Sequence, residues 1–92
     1  MSEFAQRARA LHQSIRTTLL RDWDPIGVSE IPEAQDEYDA YVPEIHALIV
    51  RRRPVAEIFD YLIWAETEHM GLSADRQKTR AVAEALETLA GS

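Results

Sequence analysis

The sequence predicts an all-α fold, a small antiparallel four-helix bundle whose second helix is kinked or broken by a proline. Apolar residues recur every three or four positions in four stretches of the chain, which is typical of helices with one buried face. No stretch alternates apolar and polar residues between turn signals, as a half-buried strand would. Because the connections between most of the stretches are short, an antiparallel bundle is the expected arrangement.

The length and composition indicate one folded domain covering residues 1–92. A chain of 92 residues buries about 60% of its unfolded surface, which is enough for a modest core. Hydrophobic residues make up 46% and charged residues 28% of the chain, a balance far from that of disordered proteins. There is no cysteine, so neither disulfides nor a thiolate zinc site can stabilise the fold.

The first helix is predicted over about Ser2–Arg21, because its apolar residues share one face: Phe4, Ala8, Leu11, Ile15 and Leu19. Pro25 disfavours helical backbone at Asp24, and Gly27 permits a turn with positive φ. We therefore expect an irregular connection that extends to about Pro32.

The second helix carries an apolar stripe that a proline interrupts. The stripe consists of Tyr38, Tyr41, Val42, Ile45, Leu48 and Ile49. Pro43 removes one helical hydrogen bond, which predicts the kink or break. Arg51–Arg53 suit the negative end of the helix dipole, and Pro54 suits the first turn of the next helix.

Two further helices complete the prediction. The third buries Val55, Ile58, Phe59, Leu62 and Ile63 and stops at Gly71. Ser73 is the predicted N-cap of the fourth. The residues of the fourth helix expected to face inward are Ala81, Val82, Ala85, Leu86 and Leu89.

The formal net charge of −6 is unevenly distributed along the chain. Residues 22–50 contain eight acids and no lysine or arginine, which gives this segment a charge of −8: Asp22, Asp24, Glu30, Glu33, Asp36, Glu37, Asp39 and Glu44. Such a field repels nucleic acid and favours a basic partner, a cation or simply solubility. Arginines interrupt the apolar residues near the start, and no membrane-spanning run occurs, so a cytoplasmic location is expected.

One acidic stretch nearly reproduces a calcium-binding loop. Asp22, Asp24, Gly27 and Glu33 have the spacing of such a loop, but Ile26 occupies the position of an oxygen ligand. The sequence therefore predicts a Pro/Gly turn flanked by solvated carboxylates, and no cofactor is expected.

Glu66 and His69 form an E-x-x-H pair, which is the best candidate for metal ligands. At 100° per residue both lie on the apolar side of the third helix. A di-metal bundle needs a second such pair, which the chain lacks. His46 and Glu37 are candidates to complete a site with this pair. His12 and His46 could instead complete a mononuclear zinc site with His69, but nothing in their spacing requires the three to converge. The alternative is that His69 meets the helix dipole and Glu66 pairs with it or with an arginine. The chain has no cysteine, serine triad or phosphate loop that would indicate an enzyme, and paired carboxylates such as Asp36 and Asp39 stay open as acid/base groups.

Trp64 lies nearly opposite the apolar stripe of the third helix, beside an aromatic residue and among acids: Tyr61, Glu57, Asp60 and Glu68. Tryptophan and tyrosine are enriched at binding hot spots, and surrounding carboxylates select a basic partner. In the alternative interpretation, the 22–32 connection covers Trp64, or its ring stacks on one of Arg51–Arg53.

Three segments resemble a YugE-like family of small bacterial proteins: WDPIGV at 23–28, DEYDAY at 36–41 and EHMGL at 68–72. The resemblance implies a compact helical fold in a bacterial cytosol, and it implies no activity or catalytic residue. Small acidic proteins of this kind are similar to immunity proteins that neutralise basic toxins. Within these segments Trp23 could anchor the connection, while Asp36 or Asp39 accepts a hydrogen bond from a turn amide or from Tyr41. Alternatively, the same carboxylates and tyrosines line an exposed groove.

The first functional hypothesis is a non-enzymatic binding domain of immunity or antitoxin type. Its partner would be a basic protein, bound by an acidic surface that contains an off-core tryptophan: Trp64, Tyr61, Asp60, Glu57, Glu68, Asp36, Glu37 and Asp39. Two alternatives stay open. One is a metal-binding helical protein that uses Glu66 and His69, and the other is a homodimer in which Trp64 and Tyr61 bury each other.

Overall fold

The protein is a bundle of four helices. The computed structural model describes the backbone of residues 3–91 and the side chains of that range except Phe4. The helices are α1 (Glu3–Thr18), α2 (Val42–Val50), α3 (Val55–Trp64) and α4 (Arg76–Thr88), and the described range contains no strand. The predicted antiparallel four-helix bundle is confirmed. The predicted start at Ser2 and the inward side chain of Phe4 lie outside the described residues.

The helices enclose one hydrophobic core. α3 packs mainly on α4 and α1 on α2, while contacts of α1 with α4 and of α2 with α3 close the bundle. The core side chains that are completely shielded from solvent are Ile15, Leu19, Val42, Ile45, Ile58, Leu62, Ala65, Ala83 and Leu86. Within residues 3–91, no helix combines the length and the apolar character needed to cross a bilayer.

The first helix runs farther than predicted, because α1 continues into a π turn over Leu19–Trp23. The turn ends at Asp24, whose φ of 33° is left-handed and whose N–H donates to the Leu19 carbonyl at 2.8 Å. Trp23 therefore belongs to the helix end rather than to the connection, and its side chain is only 1% exposed. The predicted positive φ at Gly27 is confirmed at +76°.

The predicted second helix is broken at its proline. A 3-10 turn over Asp39–Tyr41 leads into α2, which places Pro43 in the first turn of that helix. Its missing N–H costs nothing there, since first-turn amides have no partner within the helix. Tyr38 and Tyr41 lie before the break, yet both are buried.

The third helix continues into a second π turn, over Ala65–His69. It stops at Gly71, as predicted, with a φ of +72°. The N-cap of α4 is Asp75 rather than the predicted Ser73, because the Asp75 carboxylate accepts the Lys78 N–H at 3.1 Å.

The buried face of α4 is rotated relative to the prediction. Ala81 and Ala85 are exposed, and their predicted places are taken by Thr79 and Ala83. The rotation brings the Thr79 hydroxyl into the core, where it meets a carboxylate of the second π turn. That polar contact explains why apolar periodicity alone placed the face incorrectly.

Candidate functional site

The second π turn sets the geometry of the exposed surface around Trp64 and His69. The Met70 N–H donates to the Ala65 carbonyl at 2.9 Å, so this turn holds one residue more than an α-helical turn. The extra residue brings His69 over Trp64, and their rings stack with centroids 5.5 Å apart at an interplanar angle of 17°. His69 is therefore exposed, and its predicted position on the apolar face is wrong.

Three stacked rings form a strip on this surface. The Trp64 indole stacks on His69 and also on Tyr61, at 5.7 Å and 22°. We call these three residues the aromatic strip. Trp64 is 46% exposed, so the interpretation in which the 22–32 connection covers it is wrong. Tyr61 and His69, rather than one of the three arginines at 51–53, supply its ring contacts.

The predicted acidic surface divides into paired and unpaired carboxylates. Glu57 forms two hydrogen bonds with Arg53, at 2.7 and 2.8 Å, and these bonds lower the pKa of Glu57. Asp39 pairs with Arg16 across 2.9 Å, in a contact shielded from solvent but poorly aligned as a hydrogen bond. The negative charges of both acids are thus neutralised by arginines within the chain, so we exclude both acids from the predicted binding surface. In the described part of the chain, no ion pair involves the other four: Asp36, Glu37, Asp60 and Glu68.

Two of the unpaired carboxylates flank the aromatic strip. Asp60 lies four residues before Trp64, which places it on the same helical face. Glu68 directly precedes His69 in the second π turn, and both acids are exposed. The strip therefore carries negative charge on each side along the helix.

A cleft of about 360 Å³ adjoins the strip at His69. We call it the Glu37 cleft; it is lined by Ile26, Glu37, Tyr41, His69, Met70 and Leu72. At its edge the Tyr41 hydroxyl and His69 Nδ1 share a hydrogen bond of 2.6 Å. Each of the segments 23–28, 36–41 and 68–72 contributes to the lining. Sequence reasoning singled out those segments but did not predict that they meet, so Ile26, Met70 and Leu72 were missed.

A buried carboxylate supports the surface from below. Glu66 is 3% exposed and accepts hydrogen bonds from the indole N–H of Trp23 and from the Thr79 hydroxyl, the latter at 2.5 Å. The rings of Tyr38 and Tyr41 pack on Trp23, at 5.4 and 5.9 Å. Since Tyr41 also contacts His69, at 5.6 Å, the rings are continuous from the core to the strip.

Asp24 holds the connection that forms one wall of the Glu37 cleft. Its carboxylate accepts the N–H groups of Val28 and Ser29, at 2.7 and 3.1 Å, and the hydroxyl of Tyr38 at 2.8 Å. The Tyr38 oxygen in turn accepts the Ile26 N–H at 3.0 Å. Desolvation acts to raise the pKa of Asp24, but the hydrogen bonds outweigh it and the pKa is lowered.

The contacts of Trp23 and Asp24 show which side chains of the 23–28 and 36–41 segments hold the connection in place. Trp23 does anchor the connection, but the carboxylate that accepts the turn amides is Asp24 and not Asp36 or Asp39. Both Asp24 oxygens accept hydrogen bonds from within the chain. Between the first π turn and the 3-10 turn at Pro32–Ala34 the connection is irregular, with Gly27 at a φ of +76°.

No protein-family model, curated protein or solved structure matches this chain. Function must therefore be inferred from the site alone.

The structure gives Glu66 and His69 separate roles. Glu66 accepts hydrogen bonds from Thr79 in α4 and from Trp23 in the first π turn. His69 shares a hydrogen bond with Tyr41 and stacks on Trp64. His12 and His46 line a groove between α1 and α2 that does not include His69. Across residues 3–91, no three histidine or acidic side chains are grouped so that they could hold a metal ion. The geometry therefore favours hydrogen-bonding roles for Glu66 and His69.

Burial of the phenols predicts that the protein loses stability in alkali. Desolvation raises the pKa of all three tyrosines, Tyr38, Tyr41 and Tyr61, and Asp24 raises that of Tyr38 further. The folded state therefore holds these protons more tightly than the unfolded state. The tyrosine contribution to the free energy of unfolding should be constant below about pH 10 and fall as the pH rises above it. Phenolate absorbance of native and urea-unfolded protein checks this; coincident titration curves would contradict it.

Proposed function

We propose that the protein binds a basic protein partner through the aromatic strip and its flanking carboxylates, in the manner of an immunity or antitoxin protein of a bacterial cytosol. The observation that carries the proposal is Trp64, which is half-exposed although its ring is stacked on both neighbours. The binding surface consists of Tyr61, Trp64 and His69 with Asp60, Glu68 and Glu37. Asp36 is exposed and unpaired as well, and it adds to the negative field.

The stacked rings are suited to binding because they are already ordered. Fixing a free side chain at an interface costs about 0.5–1.5 kcal/mol, which lowers affinity. Trp64 is held by Tyr61 and His69 before any partner arrives, so less of that cost falls on binding. An exposed, rigid tryptophan is also the residue type most enriched among binding hot spots.

The charge around the strip selects the partner. Asp60, Glu68 and Glu37 have no internal cation among the described residues, so their field is available to steer a positively charged surface. A symmetric homodimer through Trp64 would instead place the same acids of two copies against each other, since a two-fold interface uses one patch twice. Like charges in that position are unfavourable, which supports a basic partner over a second copy.

Capture from native lysate tests the proposal. Immobilised wild-type protein should retain a basic protein that Trp64→Ala and the double variant Asp60→Lys, Glu68→Lys fail to retain. The matched control reverses two exposed acids of α4, Glu84→Lys and Glu87→Lys, and should retain the protein as wild type does. Trp64→Ala should still fold, with a loss of roughly 1–2 kcal/mol, because the indole lies half outside the core. Identical retained proteins for all four baits would remove the proposal.

Light scattering separates the homodimer from this proposal. Wild-type protein and Trp64→Ala should both have the mass of a monomer. A wild-type dimer that dissociates on Trp64→Ala would show that a second copy occupies the strip.

A further inference from the structure

We infer that the Glu37 cleft receives an arginine side chain of the bound partner. The inference rests on the proposed function and names the group that the surface recognises. The cleft opens beside the aromatic strip, since His69 belongs to both. A partner seated on Trp64 would therefore present its neighbouring residues to this cleft.

The lining of the cleft matches the two parts of an arginine side chain. Ile26, Met70 and Leu72 provide apolar walls, which suit the three-carbon stem. Glu37 provides the only carboxylate among the lining residues, and its side chain is exposed and forms no ion pair within residues 3–91. At about 360 Å³ the cleft lies at the small end of the range for ligand sites, so it suits one side chain rather than a folded segment.

Arginine fits this lining better than lysine does. Its planar guanidinium binds a carboxylate through two parallel hydrogen bonds and stacks on aromatic rings, and the cleft offers Glu37 together with the exposed ring of His69. Guanidinium is also less strongly hydrated than ammonium, so it enters a partly apolar cleft at lower cost. The hydrogen bond between Tyr41 and His69 fixes the positions of both rings.

The cleft is formed by positions that the fold already holds. Tyr38 accepts the Ile26 N–H and donates to Asp24, which fixes one wall. The Leu72 N–H donates to the Glu66 carbonyl at 2.8 Å, which fixes the opposite wall just after the second π turn. A cleft whose walls are held by internal hydrogen bonds requires little rearrangement on binding.

A peptide titration of the full chain tests the inference. The probe is a blocked pentapeptide, Gly-Gly-Arg-Gly-Gly, followed by amide chemical shifts in two-dimensional NMR spectra. It should shift the signals of Glu37, Tyr41, Met70 and Leu72 and saturate at millimolar concentration. The peptides with citrulline or lysine in place of arginine should bind at least about 5-fold more weakly, because neither can form the charged bidentate contact.

Two isosteric variants locate the effect. Glu37→Gln should weaken the arginine peptide at least about 5-fold, whereas Glu84→Gln, which makes the same charge change on α4, should stay within about 2-fold. Equal affinities of the two variants, or equal affinities of the three peptides, would overturn the inference.

The failure of the inference and that of the proposed function are distinguishable. Partner capture that depends on Trp64, with equal peptide affinity in Glu37→Gln and Glu84→Gln, would overturn the arginine assignment and leave the function standing. Capture that does not depend on Trp64 would overturn the function, and with it the inference that the arginine comes from a partner on the strip.

Discussion

Replacing Glu66 by alanine is expected to lower the free energy of unfolding by about 3 kcal/mol. The substitution leaves the buried Trp23 indole N–H and the Thr79 hydroxyl without their acceptor. Each unsatisfied buried donor costs about 1–3 kcal/mol. For a domain of this size the loss corresponds to a fall in Tm of roughly 12–24 °C. Urea denaturation followed by far-ultraviolet circular dichroism measures it.

Glu68→Ala is the matched control, since it removes the same kind of side chain from an exposed position two residues after Glu66. Its free energy of unfolding should stay within about 0.5 kcal/mol of wild type. Glu66→Gln retains a carbonyl acceptor and should lose about 1 kcal/mol. If Glu66→Ala and Glu68→Ala were equally stable, the buried carboxylate would not hold the two π turns to α4.

Replacing Asp24 by alanine is expected to cost about 2 kcal/mol. The loss has two sources, the three hydrogen bonds that the carboxylate accepts and the left-handed backbone, which alanine adopts poorly. Asp24→Asn keeps one acceptor oxygen and tolerates the backbone, so it should lose about 1 kcal/mol. Urea denaturation near pH 7 compares the three proteins.

The pH dependence identifies the ionised carboxylate as the cause. Because the pKa of Asp24 is lower in the folded state, its stabilisation is present above the unfolded value of about 4 and is lost as the pH falls through the folded value. The stability difference between wild type and Asp24→Asn should therefore shrink as the pH falls below about 4. A difference that stayed constant to about pH 2 would show that the charge contributes nothing.

Apolar periodicity predicted the helices well but could not predict their faces at the two π turns. In α1, α2 and α3 the completely shielded core residues, such as Ile15, Ile45 and Ile58, belong to the predicted stripes. Pro43 and Gly71 act where their backbone preferences indicated. The 100° rule assumes 3.6 residues per turn, however, and a π turn adds one residue. That addition moves His69 from the predicted apolar side to the exposed strip. Nothing in the local composition of residues 65–69 signals the extra residue.

Ion pairs and contacts between separate segments account for the remaining differences at the site. Glu57 and Asp39 were predicted to belong to the acidic surface, but Arg53 and Arg16 compensate them. The Arg53 pair has a four-residue helical spacing and was predictable in principle. Arg16 and Asp39 lie on different elements and are brought together only by the packing of the bundle. The Glu37 cleft likewise depends on three separate segments, which sequence reasoning had no means of placing side by side.

The motif residues fall into a set that is engaged within the fold and a set that is exposed at the cleft. Trp23, Asp24 and Tyr38 are engaged with one another or with the core, and they hold the connection in place. Ile26 and Glu37, from the same two segments, remain exposed at the cleft. The first set thus supports the surface, and the second set forms part of it.

The affinity of the captured partner for wild type and Trp64→Ala tests the proposed function most directly. Isothermal titration should show a Kd at least about 30-fold weaker for Trp64→Ala, which corresponds to the 2 kcal/mol typical of a hot spot. Val50→Ala, at an apolar side chain that is 60% exposed and lies outside the strip, should remain within about 3-fold of wild type. A Kd for Trp64→Ala that matches those of wild type and Val50→Ala would contradict the role proposed for the aromatic strip.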